Sequence, residues 1–110
     1  MATKHMIRIA RSRSGITEVA LEGDFDDSTS DELFESFNRP EVASAACVRV
    51  DLSRVGFFES STIHAMAVAC WRSRRQGAVF SVRCGEGMSR RLFEVLDMAE
   101  FFNVQEPSLA

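Results

Sequence analysis

Between Val48 and Leu52, apolar residues alternate with Arg49 and Asp51, and the run ends at a Gly-containing break. That is the pattern of a strand with one buried face that stops at a small loop. After the break, Ser60 and Ser61 precede apolar residues at Ile63, Met66, Ala67, Cys70 and Trp71. This spacing predicts a helix over about Thr62 to Gln76 with a serine cap and that apolar side turned to a sheet. Arg72, Arg74 and Arg75 fall near its C-terminus, where cations complement the dipole, and Gly77 is placed to cap it. Ala78 to Cys84 makes the next strand; its helical connection implies parallel pairing with the central strand by a right-handed crossover.

The N-terminal half adds a hairpin. Ile7 to Ala10 alternates, Ser14-Gly15 marks a turn, and Ile16 with Glu18 to Leu21 forms a second, antiparallel strand. Gly23 to Ser30 reads as a polar turn, and Asp31 to Phe37 as a helix with acids in its first turn and Leu33, Phe34 and Phe37 on one face. Pro40 stops that helix, and the chain crosses over to the central strand through Ala46. Leu92, Phe93, Val95 and Leu96 predict a third amphipathic helix, and Phe101 to Val104 a short edge strand. The expectation is an α/β fold: a mixed sheet of four to five strands backed by three or more helices. Residues 1–5, with no pattern of their own, are read as a disordered or cloning-derived terminus, 6–106 as the domain and 107–110 as a tail.

Composition narrows the function. At 110 residues with 45% hydrophobic content, the chain holds one domain with a real core. A net charge of −3 offers no general attraction to nucleic acid or anionic membranes. No apolar run approaches the roughly 20 residues of a bilayer span, and no signal peptide opens the chain, so a cytoplasmic protein is expected. Cys47, Cys70 and Cys84 lack disulfide or metal spacing and are expected as reduced core residues, with no cofactor. Trp71 and Met66 are likewise expected in the core. His64 follows Ser61 by three residues, but no third orienting group and no G-x-S-x-G elbow accompanies them, so a serine hydrolase is the weakest class. Gly85-Glu86-Gly87 lacks the pattern of a phosphate loop.

The stretch Asp-Leu-Ser-Arg-Val-Gly-Phe-Phe-Glu-Ser-Ser-Thr-Ile, residues 51–63, resembles the signature of bacterial anti-sigma-factor antagonists of the single-domain STAS family, where Asp-Leu-Ser leads to Asp-Ser-Ser-Gly-Leu. Leu21 to Asp26 is similar to the family's early Gly-x-Leu-Asp turn, and Arg91 to Leu96 to its late helix. The resemblance implies a non-enzymatic regulator in a partner-switching pathway. It would bind an anti-sigma-factor serine kinase as a monomer or weak dimer and be released when that kinase phosphorylates Ser61. Ser60 and Thr62 are the lesser candidates for modification. Asp24, Asp26, Glu59, Ser60, Thr62 and His64 are the candidate partner-binding residues, with Asp27 adding to an acidic rim. A phosphate adds about −1.5 to −2 charges; the helix N-terminus is expected to tolerate it and the partner to reject it. Three departures stand out: Glu59 for the family's Asp, Thr62 for its Gly, and His64 where small or apolar residues are common. Thr62 is expected to add bulk beside the Ser61 hydroxyl. The runner-up reading is a STAS-like scaffold, or an accessory subunit of a signalling assembly or transporter, that is never phosphorylated.

Overall fold

The computed structural model describes residues 4–85, 93, 97–98 and 100–105. The elements are β1 (His5–Arg11), β2 (Thr17–Phe25), a 3-10 turn (Asp27–Thr29), α1 (Ser30–Phe37), α2 (Pro40–Ala43), β3 (Cys47–Phe58), α3 (Ser60–Arg75), β4 (Val79–Arg83) and β5 (Val104–Gln105). They form a five-stranded mixed sheet in the order β1-β2-β3-β4-β5, as the expected fold class requires. β1 and β2 are the antiparallel hairpin; β2, β3, β4 and β5 run parallel.

Alternation decides which face of the sheet is covered. Val19, Leu21 and Phe25 of β2, Val48, Val50 and Leu52 of β3, and Phe80 and Val82 of β4 join Leu33, Phe37, Val42, Ile63 and Met66 in one buried cluster. Ion pairs form on the other face: Arg49 with Glu18 at 2.6 Å, and Arg8 and Arg54 with Glu22 at 2.5 and 3.3 Å, Arg54 being brought to this side by a register shift between β2 and β3. These contacts hold the Glu22 carboxyl below its ordinary value, the Arg8 hydrogen bond foremost. No helix among the described residues is long and apolar enough to cross a membrane.

Several boundaries differ from the sequence expectation. The first strand takes in His5, which touches Glu32 and the Phe25 ring, so the domain begins before residue 6. β2 continues through Gly23 and Asp24, placed above in a turn. Gly23 adopts φ +91°, and a Cβ there would lie 2.1 Å from the Lys4 carbonyl oxygen, so only glycine lets β1 approach β2 at this point. β3 does not stop at the Gly56 break: it shifts register against β2 twice and remains paired through Phe58. Pro40 ends α1 but also starts α2, its fixed φ suiting a first helical position.

α3 corrects two expectations. It begins at Ser60, with extended Glu59 at the N-cap, so Ser60 and Ser61 lie inside the first turn and are not caps. Its buried stripe is Thr62, Ile63, Ala65, Met66, Ala69, Cys70 and Ser73. At about 100° per residue this stripe centres near Met66 and Ala69, which puts Trp71 on the opposite side. Trp71 is accordingly 57% exposed, with the Arg75 guanidinium 4.7 Å from its ring centroid. Gly77, at φ +78°, ends the helix as expected: Gly77 N–H bonds the Arg74 carbonyl and Ala78 N–H the Ser73 carbonyl, the paired bonds of a Schellman motif. Arg72 donates to the Asn38 side chain and the Phe37 carbonyl, tying this end of α3 to the end of α1.

Cys70 and Cys84 are buried and Cys47 half-buried; burial pushes the Cys70 thiol up. Of the expected third amphipathic helix, only Phe93 is among the described residues, and it is helical and wholly buried. Leu92, Val95 and Leu96, residues 107–110 and the Glu86-Gly87 half of the glycine turn lie outside the described residues.

Candidate functional site

Because β2 and β3 are parallel, their C-terminal ends reach the same edge of the sheet, with Phe25 opposite Phe58. The residues that follow are thereby brought together: Asp26 and the 3-10 turn after β2, Glu59 and the first turn of α3 after β3. Two donors converge on the Phe25 carbonyl, Glu59 N–H at 2.9 Å and the Thr62 hydroxyl at 3.4 Å. They fix the start of α3 against the end of β2.

The turn is built by Asp26. Its Oδ1 accepts from Ser28 N–H at 2.9 Å and from the Ser28 hydroxyl at 2.5 Å. The Ser28 hydroxyl is the main reason the Asp26 carboxyl lies below its ordinary 3.8. Asp26 therefore shapes the loop, and its neighbour Asp27 reaches across. The half-buried Ser61 donates its hydroxyl to Asp27 Oδ1 at 2.7 Å, and Asp27 N–H donates to Glu59 Oε2 at 3.2 Å. The hydrogen bond with the Asp27 carboxyl pushes Glu59 above its ordinary 4.5, with desolvation and the charges of Asp27 and Asp26 adding to it and the Asp27 N–H opposing.

The other predicted residues are dispersed. Ser60 is exposed in the first turn of α3. Thr62 is 1% exposed, which corrects its expected place at the surface: its methyl and hydroxyl face inward, so its bulk is spent in the core and not beside Ser61. His64 is exposed and sets its ring edge-on to Phe34, with centroids 5.9 Å apart. It is not coupled to the Ser61 hydroxyl, whose proton points to Asp27. Asp24 lies near the end of β2 beside Gly56, where a Cβ would lie 3.1 Å from the Asp24 Oδ1.

Asp27 is the member that sequence reasoning undervalued. Its link to Ser61 spans 34 residues, and the signal that reveals it is register: the residue two past the end of β2 and the residue three past the end of its parallel partner β3 lie side by side. The arrangement is chemically specific. A half-exposed serine hydroxyl on the first turn of a helix is oriented by a carboxylate from a neighbouring loop.

The same placement has a cost that the helix-terminus argument alone misses. Asp27 stands against the hydroxyl and Glu59 is bonded to Asp27, so a phosphate on Ser61 would meet an acid of its own domain as well as the N–H groups of α3.

No curated protein matches the sequence. Among solved structures, an anti-sigma factor antagonist from Mycobacterium paratuberculosis superposes with TM-score 0.83 at 20% identity, over 96% of this chain and 88% of the other. The Bacillus cell fate determinant SpoIIAA in its phosphorylated form superposes with TM-score 0.73 at 10% identity, over 94% of this chain and 93% of the other. A STAS-domain antisigma-factor antagonist from Rhodobacter sphaeroides gives 0.57 at 23% identity, over 74% and 85%. At these identities the likenesses speak for the fold. The STAS domain model matches residues 8–108, almost the whole chain, and the chain belongs to the STAS domain family.

Proposed function

We propose that the protein is an anti-sigma-factor antagonist: it binds an anti-sigma-factor serine kinase in the cytoplasm and is released when the kinase phosphorylates Ser61. The observation that carries this reading is the Ser61 hydroxyl itself, half-buried at the start of α3 and oriented by Asp27. Asp27 is its direct partner and Glu59 is bonded to Asp27; we assign these, with Ser60, Asp26 and the more distant Asp24 and His64, to the kinase contact. Thr62 acts from below by holding the helix start to the Phe25 carbonyl. The fold is that of solved proteins described as anti-sigma factor antagonists, SpoIIAA among them, and SpoIIAA is also known in a phosphorylated form.

In the unmodified state the contact surface is acidic and ordered by the Ser61–Asp27–Glu59 chain of hydrogen bonds. Phosphorylation removes the proton that Ser61 shares with Asp27 and adds about −1.5 to −2 charges at that point. The bond becomes a repulsion, inside the domain and against the partner together. A loss of about 3 kcal/mol in the contact weakens binding by more than a hundredfold. The test is incubation with candidate kinases and ATP followed by intact mass: one phosphate is expected on the parent and none on Ser61→Ala. Phosphate retained by Ser61→Ala, or a modified protein that binds as tightly as the parent, refutes the reading.

One observation favours a second reading. The carboxyls of Asp27 and Glu59 disfavour a phosphate between them, as suits a STAS scaffold or accessory subunit that holds its partner constitutively. In that case the parent stays unmodified with every kinase that it binds.

A further inference from the structure

The outer edge of β1 presents a second surface, away from the Ser61 site. Among the described residues β1 pairs only with β2. Two hydrogen bonds fix which way its backbone groups point: Asp24 N–H donates to the Lys4 carbonyl, and Ser12 N–H to the Ile16 carbonyl. Residues of an antiparallel pair alternately exchange both backbone bonds with their partner or direct both away from it. With His5 opposite Gly23 and Arg11 opposite Thr17, the even-numbered residues bond β2. The N–H and carbonyl groups of His5, Ile7, Ile9 and Arg11 therefore face outward, in a row with a spacing of about 6.8 Å.

What borders this row is also specific. Ile7 and Ile9 lie half-buried against the core, on the helix side of the strand. With Glu32 and Glu35 of α1, Arg39 at the N-cap of α2 and Glu41 within α2 they line a groove of about 420 Å³. Ile7 and Ile9 are its apolar part, and its rim is polar: Glu41 is paired with Arg39 at 3.4 Å and Glu32 with His5, which leaves Glu35 without an ion-pair partner among the described residues. His5 shows the reach: from the helix side of β1 its ring contacts the Glu32 carboxylate at 2.5 Å. A side chain on a strand laid about 4.8 Å further out would meet the same rim.

We infer that the β1 edge accepts an extended segment of another protein as a sixth strand, one whose helix-facing positions carry an apolar side chain over Ile7 and Ile9 flanked by Lys or Arg. Main-chain bonds to the outward groups of His5, Ile7, Ile9 and Arg11 supply affinity, and the carboxylates select cationic segments. Charge argues against a second copy as the occupant. A two-fold pairing of β1 with itself sets the Glu32 and Glu35 side of α1 against its own counterpart, and the register centred on Arg8 opposes two arginines; like charges so placed destabilise a pair.

The experiment titrates the protein with the end-blocked peptide Ser-Lys-Thr-Val-Thr-Lys-Ser and follows amide hydrogen exchange residue by residue. Protection is expected to rise at Ile7 and Ile9, whose N–H groups point outward, and to stay level at Arg8, already bonded to β2. The same peptide with Glu for Lys should leave all three unchanged. Glu35→Lys with Glu41→Lys should weaken binding roughly tenfold. Ile9→Pro, tolerated on an edge where the lost N–H faces solvent, should abolish it while β1 and β2 stay paired. No added protection at saturating peptide, or equal binding of the Glu peptide, overturns the inference. So does protection of Ile7 and Ile9 that rises with protein concentration alone, which would make a second copy the occupant.

Discussion

The Ser61–Asp27 contact can be tested on the protein alone. In Ser61→Asp a carboxylate replaces the hydroxyl that now donates to Asp27 at 2.7 Å. The two negative centres would then lie about 4 Å apart, where unit charges interact by about 1 kcal/mol in water and about 4 kcal/mol at an effective dielectric of 20. Asp27 is exposed, so the lower end applies, and losing the original hydrogen bond adds about 1 kcal/mol. Ser61→Asp should thus be destabilised by roughly 2 kcal/mol and still fold, given the 5 to 15 kcal/mol typical of a domain. In the Asp27→Asn background the repulsion is gone, so the cycle of four proteins should give a coupling of about 1 kcal/mol that shrinks as salt is added. Urea unfolding followed by far-UV circular dichroism measures it. If Ser61→Asp destabilises both backgrounds equally, position 61 does not sense Asp27, and the internal half of the proposed switch fails.

Other outcomes follow from burial, backbone and charge. Met66→Ala, at a fully buried position, should lower stability by about 2 to 5 kcal/mol, whereas Trp71→Ala, on the exposed side of the same helix, should lower it by less than about 1 kcal/mol; thermal melts of the two separate the faces of α3. Gly23→Ala must move the Lys4 carbonyl and hold a positive φ, so it should lose more than about 1 kcal/mol and loosen the β1–β2 hairpin first, seen as faster amide exchange there. Glu59, with its carboxyl raised above 4.5, binds its proton more tightly folded than unfolded. Its contribution is therefore complete below 4.5 and is lost as pH rises through the raised value. Glu59→Gln should accordingly gain stability relative to the parent as pH climbs through that window, and a flat difference across pH would contradict the Asp27–Glu59 contact.

Much of this architecture was legible from local pattern. The alternation at Val48 to Leu52, the hairpin at Ser14-Gly15 and the parallel pairing of β3 with β4 all follow from periods and connection lengths within a few residues. What escaped is what two segments decide jointly. Gly23 and Gly56 look like turn residues alone; as neighbours in paired strands they are points where a Lys4 carbonyl and an Asp24 carboxylate come close. Trp71 reads as core until the small residues Ala65, Ala69 and Ser73 are found to be the ones facing inward. The serine cap was misplaced by one to two residues because Glu59, an unfavoured cap residue, is held by the Phe25 carbonyl of another strand. Thr62 looked like an obstacle at the surface, yet its hydroxyl binds that same carbonyl and fastens the helix.

The outward turn of Trp71 has a practical corollary. It is the sole tryptophan, and the chain has no tyrosine, so nearly all ultraviolet emission of this protein originates from one indole stacked under Arg75 in contact with solvent. Its colour and brightness will change little when the interior melts. A partner settling on that side of α3 would displace water and cation together, so a blue shift or loss of quenching on mixing serves as a label-free report of docking.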